Sequence, residues 1–181
     1  MPQNSRYHFR AITRADYPMI RDWLNQPHIG GWWGEAALEI ALIEEDLENG
    51  PTDMRIVELA GAPFAFVQDY PAHHWPAPQY RGEAEDARAI DTFLGDPAFL
   101  GKGHVQAYLR QRAEELVAQG TSTILVDPNP NNARAIAAYK GAGFMPLEDR
   151  ICEDGDRVLV MRYRQDAAPF QKEKAFAQSV C

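Results

Sequence analysis

The chain has 181 residues, of which 45% are hydrophobic, two cysteines and a formal charge of −8. That length suits one domain with a sizeable core. The acidic balance argues against a nucleic-acid partner, because phosphate binding calls for a basic patch. No apolar run reaches the ~18 residues of a membrane span, and the opening residues lack the apolar stretch of a secretory leader, so a cytoplasmic location is expected. The same negative charge attracts cationic ligands. Cys152 and Cys181 match no metal or disulfide spacing, and no metal centre is expected.

Tyr7 to Ile12 alternates as a strand. Thr13 and Asp16 stand at capping-box spacing before a helix that buries Met19, Ile20, Trp23 and Leu24. Pro27 stops that helix, and a Gly- and Trp-rich loop runs from His28 to Gly34. A second helix over Glu35 to Glu48 carries Leu38, Leu42, Ile43 and Leu47 at helical spacing. Met54–Leu59 and Pro63–Tyr70 read as a hairpin around Ala60-Gly61-Ala62. Pro71 to Arg88 reads as a long irregular loop, which inside a compact domain is more often functional than idle.

Ala89–Leu94 then reads as a strand, Gly103–Ala118 as a helix, Thr123–Val126 as a buried strand and Asn132–Ala142 as a helix. Phe144–Ile151 and Arg157–Tyr163 form two strands around the turn Glu153-Asp154-Gly155-Asp156. The order predicts an α/β (α+β) fold: a single domain over 1–164 with a mixed, mostly antiparallel central sheet flanked by helices, and a C-terminal tail over 165–181.

Leu100-Gly101-Lys102-Gly103-His104 lies between a strand and a helix, where glycines let main-chain N–H groups approach an anion at the helix's positive end. Downstream, a strand ends at Asp127 and is followed by Pro128-Asn129-Pro130-Asn131-Asn132 and by Ala133 to Phe144, with Tyr139 and Gly143 in that stretch. The pair of segments resembles the GNAT acetyltransferase superfamily. Trp23-Leu24-Asn25, His28-Ile29, Trp32-Trp33-Gly34, Gln68, Tyr70 and Ile90-Asp91 extend the resemblance through about Tyr163 and narrow it to the aminoglycoside 6′-N-acetyltransferases. Val105, where the wider family has Gly or Ala, and Leu100, where Gln or Arg is commoner, are departures.

The resemblance implies acetyl-coenzyme A as cosubstrate, held by Leu100, Gly101, Lys102, Gly103, His104, Val105, Asn132, Ala135 and Tyr139. It implies a small-molecule amine acceptor, neither nucleic acid nor membrane as partner, and a monomer or homodimer. An ammonium must lose a proton before nitrogen attacks a thioester, and a carboxylate can hold it and accept that proton. Asp91, an acid in mid-strand beside Ile90 and Phe93, is the expected base or proton conduit, with Asp127 binding the acceptor and sharing the role, although before Pro128 a cap or turn role for Asp127 is as readable from local sequence. The resemblance gives Tyr139 the protonation of the leaving thiolate, whereas the helical position it shares with Ile136 reads, from the residues alone, as packing. It also has Ala65–Gln68 offering an N–H to the thioester carbonyl. Asp69 and Glu83, with Glu85 and Asp86, are expected to form an anionic mouth, and Trp33, Trp75 and Tyr80 to stack on the acceptor or cover the pantetheine arm, buried anchors being the usual alternative for such aromatics. A lysine-like acceptor of the siderophore type, a protein amine, and a non-catalytic coenzyme A-binding module remain open alternatives.

Overall fold

In the computed structural model, which describes residues 6–165, seven strands form one sheet and four helices cover its faces. β1 (His8–Ala11) leads through a short 3-10 turn into α1 (Tyr17–Leu24), and α2 (Ala36–Asn49) follows. The Asp16 carboxylate accepts hydrogen bonds from the Thr13 N–H (2.8 Å) and hydroxyl (3.1 Å), which fixes the entry into α1. β2 (Asp53–Leu59) and β3 (Ala62–Pro71) make the expected hairpin, and β4 (Arg88–Leu94) lies beside β3. α3 (His104–Ala118), β5 (Ile124–Val126), α4 (Ala133–Ala142), β6 (Phe144–Ile151) and β7 (Arg157–Tyr163) complete the order. The expected tail lies, beyond Gln165, outside the described residues.

The sheet runs β1-β2-β3-β4-β5-β7-β6, and every pairing is antiparallel except the parallel one between β4 and β5. Side chains alternate between the two faces with a period of two. Ile56, Phe66 and Phe93 pack toward α1 and α2 with Ile20, Trp23, Ile40 and Ile43. Their neighbours Val57, Val67, Ile90 and Leu94 pack on the other face with Tyr108, Leu109, Leu116 and Tyr139 of α3 and α4. This parity decides where each polar residue of β3 and β4 emerges.

α2 is rotated from the sequence expectation. Its buried residues are Ala36, Ile40 and Ile43, with Leu47 partly buried against them, a stripe at i, i+4, i+7 and i+11. Leu38 and Leu42 are 62% and 59% exposed. The rotation turns Glu39, Leu42, Glu45 and Asp46 toward a cavity beside the sheet.

Candidate active site

β4 and β5 touch over only two residue pairs, Arg88↔Ile124 and Ala89↔Leu125, and then diverge. The Arg88 N–H reaches the Thr123 carbonyl at 3.0 Å, on the β5 side. By the same alternation, the main-chain groups of Ile90, Thr92 and Leu94 face the gap that β5 has left. The free edge therefore belongs to β4. Ala65–Gln68, expected to offer an N–H, lies on β3, which is paired on both flanks by β2 and β4.

A cavity of about 250 Å³ fills one side of this divergence. Leu100, Gly101, Gly103, His104, Val105, Asn132, Ala135 and Tyr139 line it, together with Trp33, Thr92 and Leu94. Gly101 and Gly103 have φ of 70° and 75°, a left-handed turn that L side chains rarely adopt. α3 begins at the next residue, so the first N–H groups of the helix, which have no partner within it, lie where this cavity is lined by Gly103, His104 and Val105, a position suited to an anion. Val105 lines the cavity while packing against the core, so the departure leaves the helix start intact. His104 is buried, bonds the Tyr7 hydroxyl through Nδ1 at 2.9 Å, and is held below the usual imidazole range by burial. Lys102 stands outside the cavity, with Nζ turned back to the Ala98 carbonyl at 2.7 Å.

Asn132 caps α4, its Oδ1 accepting from the Ala135 N–H at 3.1 Å. That cap fixes the helix on which Tyr139 sits one turn further along, buried and 5.9 Å from the Phe144 ring between centroids. Burial, and next the charge of Asp91, push the Tyr139 phenol above its ordinary range, so at neutral pH it carries its proton.

A second cavity of about 380 Å³ lies on the α2 side of the sheet and shares Trp33 as a wall with the first. Trp33 is fixed edge-on against Phe93, centroids 4.9 Å apart. Five acids line this cavity, Glu39, Glu45, Asp46, Asp91 and Glu153, and no Lys or Arg does. Asp91 faces Gln68 across the ladder and accepts its Nε2–H at 3.0 Å. Burial raises the Asp91 carboxyl above the usual range, partly opposed by its hydrogen bonds from Gln68 and Tyr70. Asp127, at the end of β5, accepts from Gln79 Nε2 at 3.2 Å and is also raised, first by burial and then by the charge of Asp91. Asp127 is not among the residues lining either cavity; Gln79 and Tyr80 are the lining residues beside it.

The expected anionic mouth is built from other residues. Asp69 is 1% exposed, and pairs with Arg112 (2.6 Å) and Arg88 (2.7 Å). One residue along from Gln68, it faces Arg112 of α3 rather than the second cavity. The Glu83 side chain is 3% exposed and bonds Arg150 Nη1 (3.1 Å) and Arg162 Nη2 (2.5 Å), tying the long loop to the β6–β7 hairpin. Asp86 accepts from the Ser122 hydroxyl and N–H, and neither it nor Glu85 lines the cavity. Tyr80, expected to stack on the acceptor, is 1% exposed, whereas Trp75 lines the cavity at 41% exposure. The acids missed in the sequence are those of α2 and Glu153. Their signal was the face Glu39, Leu42, Ile43 and Asp46 at i, i+3, i+4 and i+7, a mixture of acids with apolar residues that a purely structural stripe does not need.

A strand edge opened beside a helix start, with a raised carboxylate on the far side of a shared aromatic wall, suits the transfer of an acyl group to an amine. A family model described as an acetyltransferase (GNAT) domain matches residues 13–150, and the chain belongs to that family of acetyl-CoA N-acetyltransferases. Aminoglycoside N(6′)-acetyltransferase type 1 of Serratia marcescens is 32% identical over 96% of this chain and 90% of its own length. A type 1 enzyme of the same name from Klebsiella pneumoniae is 32% identical over 90% of the chain and 85% of its own length. The structure of AAC(6′)-Ib in complex with paromomycin and acetyl-CoA superposes with a TM-score of 0.78 at 29% identity, covering 88% of this chain and 93% of that one. Among the described residues no group of three or more His, Cys, Asp or Glu side chains is placed to hold a metal ion, and no helix is long and apolar enough to cross a membrane.

Proposed function

We propose that the protein transfers the acetyl group of acetyl-coenzyme A to the 6′ primary amine of an aminoglycoside-type polycation. The observation that carries this reading is the second cavity: five carboxylates and no Lys or Arg on its walls, next to the anion-binding cavity and separated from it by Trp33. The names of the relatives support the same acceptor. The residues that would hold the cosubstrate's pyrophosphate are the Gly101–Gly103 turn and the start of α3, and the β4 edge offers main-chain partners to its amide-bearing arm. Bound there, the thioester supplies an activated acyl carbon.

The acceptor enters as an ammonium, since a primary amine has a pKa of roughly 10. Glu39, Glu45, Asp46 and Glu153 draw it in, and Asp91 takes the proton that nitrogen must lose. The raised Asp91 carboxyl is better matched to that task than an ordinary carboxylate. As nitrogen bonds the acyl carbon, an N–H on the free β4 edge stabilises the charge growing on the carbonyl oxygen. The carbon–sulfur bond then breaks, and Tyr139 gives its phenolic proton to the departing sulfur. Asp127 acts on the acceptor through Gln79 and Tyr80. The reading carries a cytoplasmic location with it, because acetyl-coenzyme A is supplied there.

The test is release of free thiol from acetyl-coenzyme A in the presence of kanamycin-type aminoglycosides, hydroxylysine-like diamines and linear polyamines. Turnover with the aminoglycosides at the highest kcat/KM supports the reading. Turnover confined to the diamines would replace it.

A further inference from the structure

Trp33 is the one described residue that lines both cavities, so a group passing from one to the other passes its ring. On β4 the two sides meet within a single period of the pleat. Asp91 lines the acidic cavity, and Phe93, about 7 Å along the strand and on the same face of the sheet, lines the other. The Trp33 ring meets Phe93 edge-on at 77°, with centroids 4.9 Å apart, and meets Phe66 at 89° and 6.3 Å. Phe66 and Phe93 are themselves buried and stacked on each other at 5.3 Å.

That arrangement makes the indole a fixed stop. Behind it lies a core packed as densely as an organic crystal, with no room for the ring to sink. Its main chain is anchored on both sides, because the Trp32 N–H donates to the Ile29 carbonyl at 3.1 Å and the Gly34 N–H to Glu39 Oε1 at 3.0 Å. The tetrahedral intermediate of the proposed reaction carries four groups on its acyl carbon. Its oxygen takes a β4 N–H, its sulfur the Tyr139 phenol and its nitrogen comes from the side of Asp91, which leaves the acyl chain alone without a polar partner. The apolar surface at the junction of the two cavities is that of Trp33 and Phe93.

We infer that Trp33 limits the length of the acyl group that the enzyme transfers, its ring closing the chain's end of the site at the size of acetyl. The inference rests on the proposed amine-acetyltransferase reading and deepens it on the donor side. A chain extended by two methylenes has to displace a ring that is packed on three sides, and overfilling a packed site is penalised steeply. Removing the indole joins the two cavities and gives the longer chain a place to lie.

The test compares acetyl-coenzyme A with butyryl-coenzyme A, by calorimetric titration without acceptor and by thiol release with kanamycin. The wild type is expected to bind the butyryl donor at least ~10-fold more weakly and to use it with a kcat/KM at least ~100-fold lower, the scale on which a filled apolar pocket rejects added methylenes. Trp33→Ala should narrow both gaps ~10-fold or more. Trp33→Leu, which keeps an apolar side chain against Phe93, should narrow them by less, and it serves in place of Trp33→Ala should that variant not fold. The ratio of kcat/KM for two donors on one preparation does not depend on the folded fraction, so a general loss of stability leaves it unmoved. The inference is overturned if the wild type binds or uses the two donors alike, or if the folded variants keep the wild-type ratios. Failure of the acetyltransferase reading shows separately, as absence of acetyl transfer to kanamycin by the wild type.

Discussion

Replacing Asp91 with asparagine removes the proposed base while keeping the side chain's shape and an oxygen that can still accept from Gln68 Nε2 (3.0 Å in the wild type). General-base catalysis contributes roughly 10²–10⁴-fold, so kcat should fall by that factor, equivalent to about 2.7–5.4 kcal/mol of lost transition-state stabilisation. The cavity proposed for coenzyme A is the other one, which Asp91 does not line, so coenzyme A affinity should hold. Stability moves the opposite way. Because burial raises the folded Asp91 carboxyl, the folded state binds more protons than the unfolded state from the ordinary carboxylate range up to the raised value. Wild-type stability therefore declines across that window as pH rises, and this group's cost is constant above it. The neutral amide of the Asp91→Asn variant carries no such cost, so the variant should equal or exceed wild-type melting temperature at pH 8, with the gap closing in acid. The assay is steady-state kinetics with an aminoglycoside acceptor, coenzyme A binding by calorimetry, and thermal melts at pH 4 and 8. Full activity in Asp91→Asn, or equal losses in kcat and coenzyme A affinity, would refute the assignment.

Tyr139→Phe should lower kcat at least ~10-fold with little change in melting temperature, since the ring and its contact with Phe144 remain; a large stability loss at normal specific activity would make it a packing residue. Gly101→Ala should raise KM for acetyl-coenzyme A more than KM for the acceptor, because the added Cβ meets no atom within 4 Å yet must adopt φ of 70° at a cost of about 1–2 kcal/mol. Asp69→Asn should destabilise by about 3–5 kcal/mol in urea unfolding, by leaving the buried Arg112 guanidinium without its main partner, while the folded fraction keeps its specific activity. The pair Glu45→Gln with Asp46→Asn should raise KM for a polycationic acceptor at low salt and lose its effect as ionic strength rises, because these charges are accessible and screened.

The boundaries of nearly every strand and helix were readable from periodicity and turn residues, because local sequence dictates them. The Gly101–Gly103 turn and Asp91 were readable for the same reason: a left-handed turn needs glycine, and an acid inside an apolar strand demands a use. The acidic cavity was not. Its acids come from α2 and the β6–β7 turn, and only the packing of Ile40 and Ile43 against Phe66 determines which face of α2 they occupy. Asp69 shows the converse. Next in sequence to Gln68, it belongs to the opposite face by parity, and Arg112, 43 positions away, neutralises it. Gln79 gave no signal at all, because its bond to Asp127 is made across 48 positions of sequence.

The claim at the centre of the account is that the acidic cavity delivers one amine of a polycation to Asp91 across from the thioester. The most direct measurement is the structure of the product formed from kanamycin and acetyl-coenzyme A, by mass spectrometry and NMR. One acetyl group on the 6′ nitrogen, with one thiol released per acetyl transferred, is the result the account predicts. Acetylation at another ring nitrogen, or none with kanamycin while a different amine is acetylated, would contradict it.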